Sequence, residues 1–151
     1  MSVTAPATYF DDVVVGEEVR TAARTVTEAD VVRYCQFSGD YDPMAIDEEH
    51  ARTTGLGGRV APHFIVHTLS SGLSWRIPRP PLAIMAFMGL EWQFFKPIRI
   101  GETVYCRLKS TAKRKMKEGG VVIQEHSVLN QHNELVQQGK VTFLVASRPT
   151  A

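Results

Sequence analysis

The sequence predicts an α+β domain in which a curved antiparallel sheet wraps one central helix. Three observations carry that prediction. The C-terminal half is filled by four long runs rich in β-branched and aromatic residues, separated by turn signals. One segment, from Pro62 to Trp75, has helical spacing and is apolar over most of its circumference. The length of 151 residues allows one sizeable core and hardly two, so a single domain over residues 1–151 is expected, with no internal repeat or linker.

Taken in order, the first helix is announced by Thr27 and Asp30, which have the spacing of a capping box. Val31, Val32 and Cys35 follow at helical spacing until Gly39 stops the run, so a helix from Glu28 to Phe37 is predicted. A second helical turn is expected near Asp47, where Asp47, Glu48 and Glu49 complement the positive end of a helix dipole. Gly55, Gly57 and Gly58 then mark a loop. In the Pro62–Trp75 helix, Phe64, Ile65, Thr68, Leu69, Gly72 and Leu73 form a wide apolar face, and Pro78, Pro80 and Pro81 end it. A helix of this kind must be covered by something else. The cover is expected from the runs 83–98, 102–117, 121–131 and 134–147, with turns at Gly101, Gly119-Gly120 and Asn133, read as a meander. Within the second run Val104, Cys106 and Leu108 alternate with Thr103, Tyr105 and Arg107, the period of a sheet with one face on a core.

Composition narrows the function. The chain is 44% hydrophobic and 22% charged, and 17 Lys+Arg against 16 Asp+Glu leave a net charge of +1. Nucleic acids and anionic membranes reward a clear basic excess, so neither is expected as principal partner, and a small ligand is. Cys35 and Cys106 stand alone, without a CxxC or a zinc-like His/Cys spacing, and are expected to be buried thiols in a reducing cytoplasm. No apolar run approaches the ~18 residues of a membrane-spanning helix, and the start MSVTAPATYFDD lacks the basic and apolar regions of a signal peptide. A cytoplasmic location is the expectation.

The segment FSGDYDPMAIDEEHARTTGLGGRVAPHFIVHTLSSGL, Phe37 to Leu73, carries the chemistry. It resembles the MaoC-like, or (R)-specific enoyl-CoA hydratase, family of hot-dog-fold proteins, whose pattern is S-x-D-x-N-P-x-H-x-D followed by H-G at the start of the central helix and a later serine. WQFFKPIRIGETV and the last strand are similar to the family too. Asp40, Pro43, Asp47 and Ser71 fall on matching positions. Asp42 replaces the Asn, Ala45 the catalytic His, Pro62 the His of H-G, and His63 its Gly.

The resemblance implies a hydratase/dehydratase acting on an enoyl-CoA or 3-hydroxyacyl-CoA thioester, with no cofactor beyond the coenzyme A of the substrate. Asp40 would be the acid/base, the His63 backbone N–H would polarise the thioester carbonyl, and Ser71 would brace the site. Asp42, Phe64 and His67 would line the substrate, with Leu69 beside the acyl chain. A positioned acid/base contributes about 10²–10⁴-fold to a rate, and alanine can hold no proton. Ala45 therefore leaves three readings open: a hydratase working through Asp40 alone or with His63 or His67, a thioesterase, and a non-catalytic subunit of a hetero-oligomer with an intact homologue. Asp40 and Asp42 share a side of an extended chain and suit a shared-proton pair, although a DxDP stretch also reads as a turn in which Asp caps its own backbone. The acids 40, 42 and 47 lack the glycine and terminal Glu of a calcium loop, so no metal is expected. His50 is expected on the solvated surface. Lys109, Lys113, Arg114, Lys115 and Lys117 form either a solvated hairpin tip or a contact for coenzyme A phosphates. Trp92, Phe94 and Phe95 are expected in the core or a subunit contact, and a homodimer or higher oligomer is implied, with sites at the interface.

Overall fold

The computed structural model describes residues 6–149. After a 3₁₀ turn at Phe10–Asp12 come strands β1 (Glu18–Arg20) and β2 (Arg24–Thr25), then helices α1 (Glu28–Ser38), α2 (Pro43–Ile46), α3 (Glu48–Thr53) and α4 (His63–Leu73). Strands β3 (Ile84–Phe94), β4 (Thr103–Met116), β5 (Gly119–Asn130) and β6 (Leu135–Val145) complete the fold. All strands belong to one antiparallel sheet of order β1-β4-β5-β6-β3, with β2 also on β4.

Helix α1 forms for the reason its sequence suggests. Thr27 accepts a hydrogen bond from the Asp30 N–H while the Asp30 carboxylate accepts from the Thr27 N–H, and Gly39 closes the helix in the left-handed conformation at φ 74°. Val31 and Cys35 turn inward and Val32 faces out. The α4 helix packs Ile65, Val66, Leu69 and Leu73 against Val104, Cys106 and Leu108 of β4, Val128 of β5 and Val136 of β6. Each such side chain withdrawn from water contributes about 1.5–3 kcal/mol.

Three expectations need correction. The four long strands are not a simple meander: β4, β5 and β6 follow one another, but β3 pairs with β6, from Ile84↔Val145 to Phe94↔Gln137. The connection from β3 to β4 is pinned across the fold by the Ala61 N–H to Ile98 O bond at 2.7 Å and the Gly101 N–H to Val26 O bond at 2.7 Å, which carry the chain to the far side of the sheet. The apolar face of α4 is also displaced. Phe64, Thr68 and Gly72 are exposed, whereas Val66 and Ser70 are buried, because the curved sheet covers an arc centred on Ile65, Val66, Leu69 and Leu73. The DxDP stretch turns as one of its two readings expected: Asp42 caps a helical turn, α2, with Pro43 at its first position. Finally, Gly119 and Gly120 lie within β5 rather than in the turn before it. A Cβ at Gly120 would meet the Phe10 ring at 2.2 Å, so this glycine admits a close approach of the N-terminal segment.

A smaller cluster of Phe10, Val13, Val122, Val141, Phe143 and Val145 extends the core beyond α4. Over it, Lys113 Nζ donates to Val13 O at 2.6 Å, and Lys115 Nζ donates to Ser147 Oγ at 2.6 Å and pairs with Asp11. These two lysines of the basic run fasten the N-terminal and C-terminal segments to the β4–β5 hairpin. The opposite edge of the sheet is β3, whose outer side has no strand among the described residues. Met85, Phe87, Met88 and Leu90 are exposed along it.

Candidate functional site

The region around the start of α4 is built by the three short helices before it. Asp42 caps α2 by accepting from the Met44 N–H at 3.0 Å, and Asp47 caps α3 by accepting from the His50 N–H at 3.0 Å. Arg59 then locks the assembly: it pairs with Glu28 of α1 at 2.7 Å and Glu48 of α3 at 3.5 Å, and donates to Ala45 O at 3.3 Å. The hydrogen bond to Arg59 holds the Glu28 carboxyl below its ordinary range. Asp42, Met44, Ala45, Val60, Pro62 and His63 line a cavity of about 170 Å³ at the mouth of α4. The N–H groups of a first helical turn have no partners within the helix, which suits them to a developing negative charge. The His63 ring is exposed and tilts against Phe94 at 5.8 Å.

Asp40 does not line this cavity. It is half-buried just after α1, with its N–H donating to Ser38 Oγ at 3.1 Å. Its carboxylate lies by the Tyr34 phenol, which burial and then the Asp40 charge push up from its ordinary value. Burial followed by the same charge raises the Cys35 thiol. Of the acids at 40, 42 and 47, two are therefore engaged in capping and Asp40 is the one beside a phenol. His50 is exposed on α3.

His67 and Ser71 belong to a different cavity, of about 210 Å³, between α4 and the inner face of the sheet. Ser70, Ser74 and Trp75 continue its helical side, while Ile84, Phe87, His126, Val141 and Phe143 come from the strands. The His67 ring stands edge-on to Trp92 at 4.3 Å, and its Nδ1 is buried without a partner among the described residues. Burial holds its pKa below the ordinary histidine value. Trp92 Nε1 donates to Gln137 Oε1 at 2.9 Å, and Gln137 Nε2 donates to His63 O at 3.0 Å, so β3 and β6 fix the helix through this pair. Phe64 is exposed, edge-on to Phe94 at 5.7 Å.

His126 is the residue the sequence reading missed. It is buried on β5, and burial, with a smaller contribution from His67, pushes its pKa down to about 4. The signal was present in the alternation of VVIQEHSV: Val122, Gln124, His126 and Val128 share the inward face, so two polar residues had to enter the core. Cys35 and Cys106 are buried free thiols, and burial pushes Cys106 up to about 12, which leaves it unreactive at neutral pH. No group of three His, Cys, Asp or Glu suited to a metal occurs among the described residues, nor any helix long and apolar enough to cross a membrane.

A curved antiparallel sheet around one helix, with cavities at the mouth and along the side of that helix, defines a hot-dog-fold protein. A Mycobacterium tuberculosis protein described as having a double hotdogfold superposes with a TM-score of 0.83 at 18% identity, covering 96% of this chain and 46% of the other. Residues 12–132 match the MaoC like domain family, and the chain belongs to that family. It is 26% identical over 142 residues to an (R)-specific enoyl-CoA hydratase of Rhodospirillum rubrum, covering 93% of both chains. It is 32% identical over 108 residues to Protein MaoC of Klebsiella aerogenes, covering 71% of this chain but only 31% of that longer protein.

Proposed function

We propose that this chain hydrates, or in reverse dehydrates, an acyl-CoA thioester through a non-standard active site at the mouth of α4. The observation that carries the reading is the cavity shared by Ala45, Asp42 and the first residue of α4, in a chain whose family includes an (R)-specific enoyl-CoA hydratase. The His63 N–H polarises the thioester carbonyl, drawing charge from the β-carbon. Asp40 lies beside Tyr34, outside the lining of this cavity, so in this reading the substrate reaches past the cavity to it: Asp40 takes a proton from water as the oxygen bonds to the β-carbon, and returns a proton to the α-carbon on the same face. One carboxylate thus acts as base and then acid, the role the absent imidazole at position 45 would otherwise share. Asp42 and Phe64 line the thioester end, while Ser71, which the fold sets in the cavity along α4 rather than at its mouth, lines the acyl chain together with His67. The only coenzyme needed is the one the substrate carries.

A second copy of the chain completes the unit in this reading. The outer edge of β3 displays Met85, Phe87, Met88 and Leu90, a long apolar edge of the kind that natural sheets cover. An edge-to-edge pair of β3 strands covers it and brings residues of one copy toward the cavities of the other. A hetero-oligomer with a homologue bearing histidine at the Ala45 position would present the same edge.

The test is turnover of trans-2-enoyl-CoA substrates by the purified protein, followed by loss of the conjugated enoyl absorbance, for the wild type and Asp40→Asn. Hydration by the wild type and its loss in the variant, with unchanged thermal stability, is expected. Equal turnover by both removes Asp40 from the mechanism. Release of free thiol in place of hydration assigns a thioesterase, which one carboxylate without an imidazole also suits. Neither activity over a range of chain lengths leaves the non-catalytic subunit.

A further inference from the structure

The cavity beside His67 and His126 carries a chemical preference of its own. The Gln124 amide nitrogen donates to Ser110 Oγ at 3.4 Å, which turns its oxygen toward His126 Nε2 at 3.2 Å. With the amide in that orientation its oxygen accepts, which places the ring proton on Nε2. Burial holds the ring neutral, so its other nitrogen, Nδ1, is left as an acceptor, with no hydrogen bond to it among the described residues. Across the same cavity the neutral His67 ring has a buried Nδ1 without a partner among the described residues. The remaining walls include Ile84, Phe87, Val141 and Phe143. Ser70, Ser71 and Ser74 line the helical side, the hydroxyls of Ser70 and Ser74 donating to the carbonyls of His67 and Ser71, so a space apolar on its strand side with an acceptor on one wall and an unpartnered imidazole on another is matched by an aliphatic chain bearing one O–H.

We propose that this cavity binds a hydroxyl-bearing aliphatic chain, its O–H donating to His126 Nδ1 and its oxygen facing His67. The inference rests on the acyl-thioester reading for the identity of the chain, which is then the tail of a hydroxylated acyl group. The α4 rise of about 1.5 Å per residue sets His67 one turn, and Ser71 two turns, beyond the thioester end at His63. Other polar groups fit less well. A ketone or a carboxylate can accept from His67 but cannot supply the proton that the His126 nitrogen accepts, so it makes one hydrogen bond fewer than an alcohol, and an ammonium group meets no carboxylate among the residues lining the cavity.

Binding of hexanol, methyl butyl ketone and chloropentane to the whole protein tests this without any turnover. Titration with observation of the imidazole ¹⁵N resonances is expected to give hexanol a three- to tenfold lower Kd than either other probe, the size of one hydrogen bond, and to move the His126 Nδ1 signal. Equal affinities for the three, or no binding of hexanol, overturn the proposal. In His126→Phe the preference is expected to vanish while chloropentane still binds. If that variant fails to fold, the wild-type comparison decides by itself. A second arm compares hexenoyl-CoA with its ω-hydroxy derivative. Alcohol preference without turnover of either thioester sinks the hydratase reading and leaves the cavity assignment standing. Turnover of both, with no alcohol preference, does the reverse.

Discussion

The two cavities along α4 are built on opposite principles. The one at its mouth is assembled from short helices and loops, α1 to α3, held by caps and by the exposed ion pairs of Arg59. The one along its side is walled by the sheet, with two neutral imidazoles and a chain of amide and indole bonds behind them. Loops supported by charge pairs can change residues at little cost to the fold. A polar group on a sheet-backed wall must be satisfied or left empty-handed at a penalty. The position where the family's imidazole is replaced, Ala45, lies in the first region, and the buried histidines lie in the second.

The largest effect expected from breaking this contrast is in catalysis. Asp40→Asn should lower hydration by about 10²–10⁴-fold, measured as kcat/KM, with the melting temperature unchanged. Ala45→His, placed where the 170 Å³ cavity has room, should raise turnover and add an ionisation near neutral pH to the kcat/KM profile.

The next effect belongs to the second region. A His126 pKa near 4 in the fold against about 6.5 in the unfolded chain means that the unfolded state binds the proton first on acidification. Stability is fully present above pH 6.5 and is lost as pH falls toward 4, by at most roughly 3 kcal/mol. Chemical denaturation across that range should show the slope, and His126→Gln should flatten it.

Gly139→Ala tests the wall that supports His67. A Cβ there would meet Glu91 O at 2.2 Å and Trp92 Cε3 at 2.2 Å, displacing the indole on which His67 rests. A loss of about 2 kcal/mol is expected in denaturant unfolding, from overpacking. The smallest effect, about 1 kcal/mol, is expected for Thr27→Ala, which removes one half of the α1 capping box and touches neither cavity.

Much of the architecture was legible because it rests on local rules. The capping pair Thr27 and Asp30, the left-handed Gly39 and the period-two pattern of β4 each act within a few residues, and each appears where its residues stand. The pairing of β3 with β6 was not legible, because all four long strands have similar composition. The choice was made by a connection pinned at Ile98 and Gly101, far away in sequence. The candidate site divides in the same way. Asp42 and Asp47 proved to be caps, a local role that the DxDP stretch and the acidic run already hinted at. Asp40, His63 and His67 were picked out by sequence as one group, yet Asp40 lies beside Tyr34, His63 at the mouth of α4 and His67 along its side.

By itself, then, the sequence determined α1, the central helix and the four long strands, though not β1, β2 or the turn α2, together with the family to which the chain belongs and the replacement of a proton-carrying residue by Ala45. Those follow from side-chain periodicity, capping chemistry and residue identity, which need no partner distant in the chain. Only the tertiary structure decided that His67 and His126 share a cavity and that burial lowers the pKa of both rings. Both depend on desolvation where α4 meets β5, elements separated by more than forty residues of chain, and burial of that kind exists only once the sheet has closed around the helix.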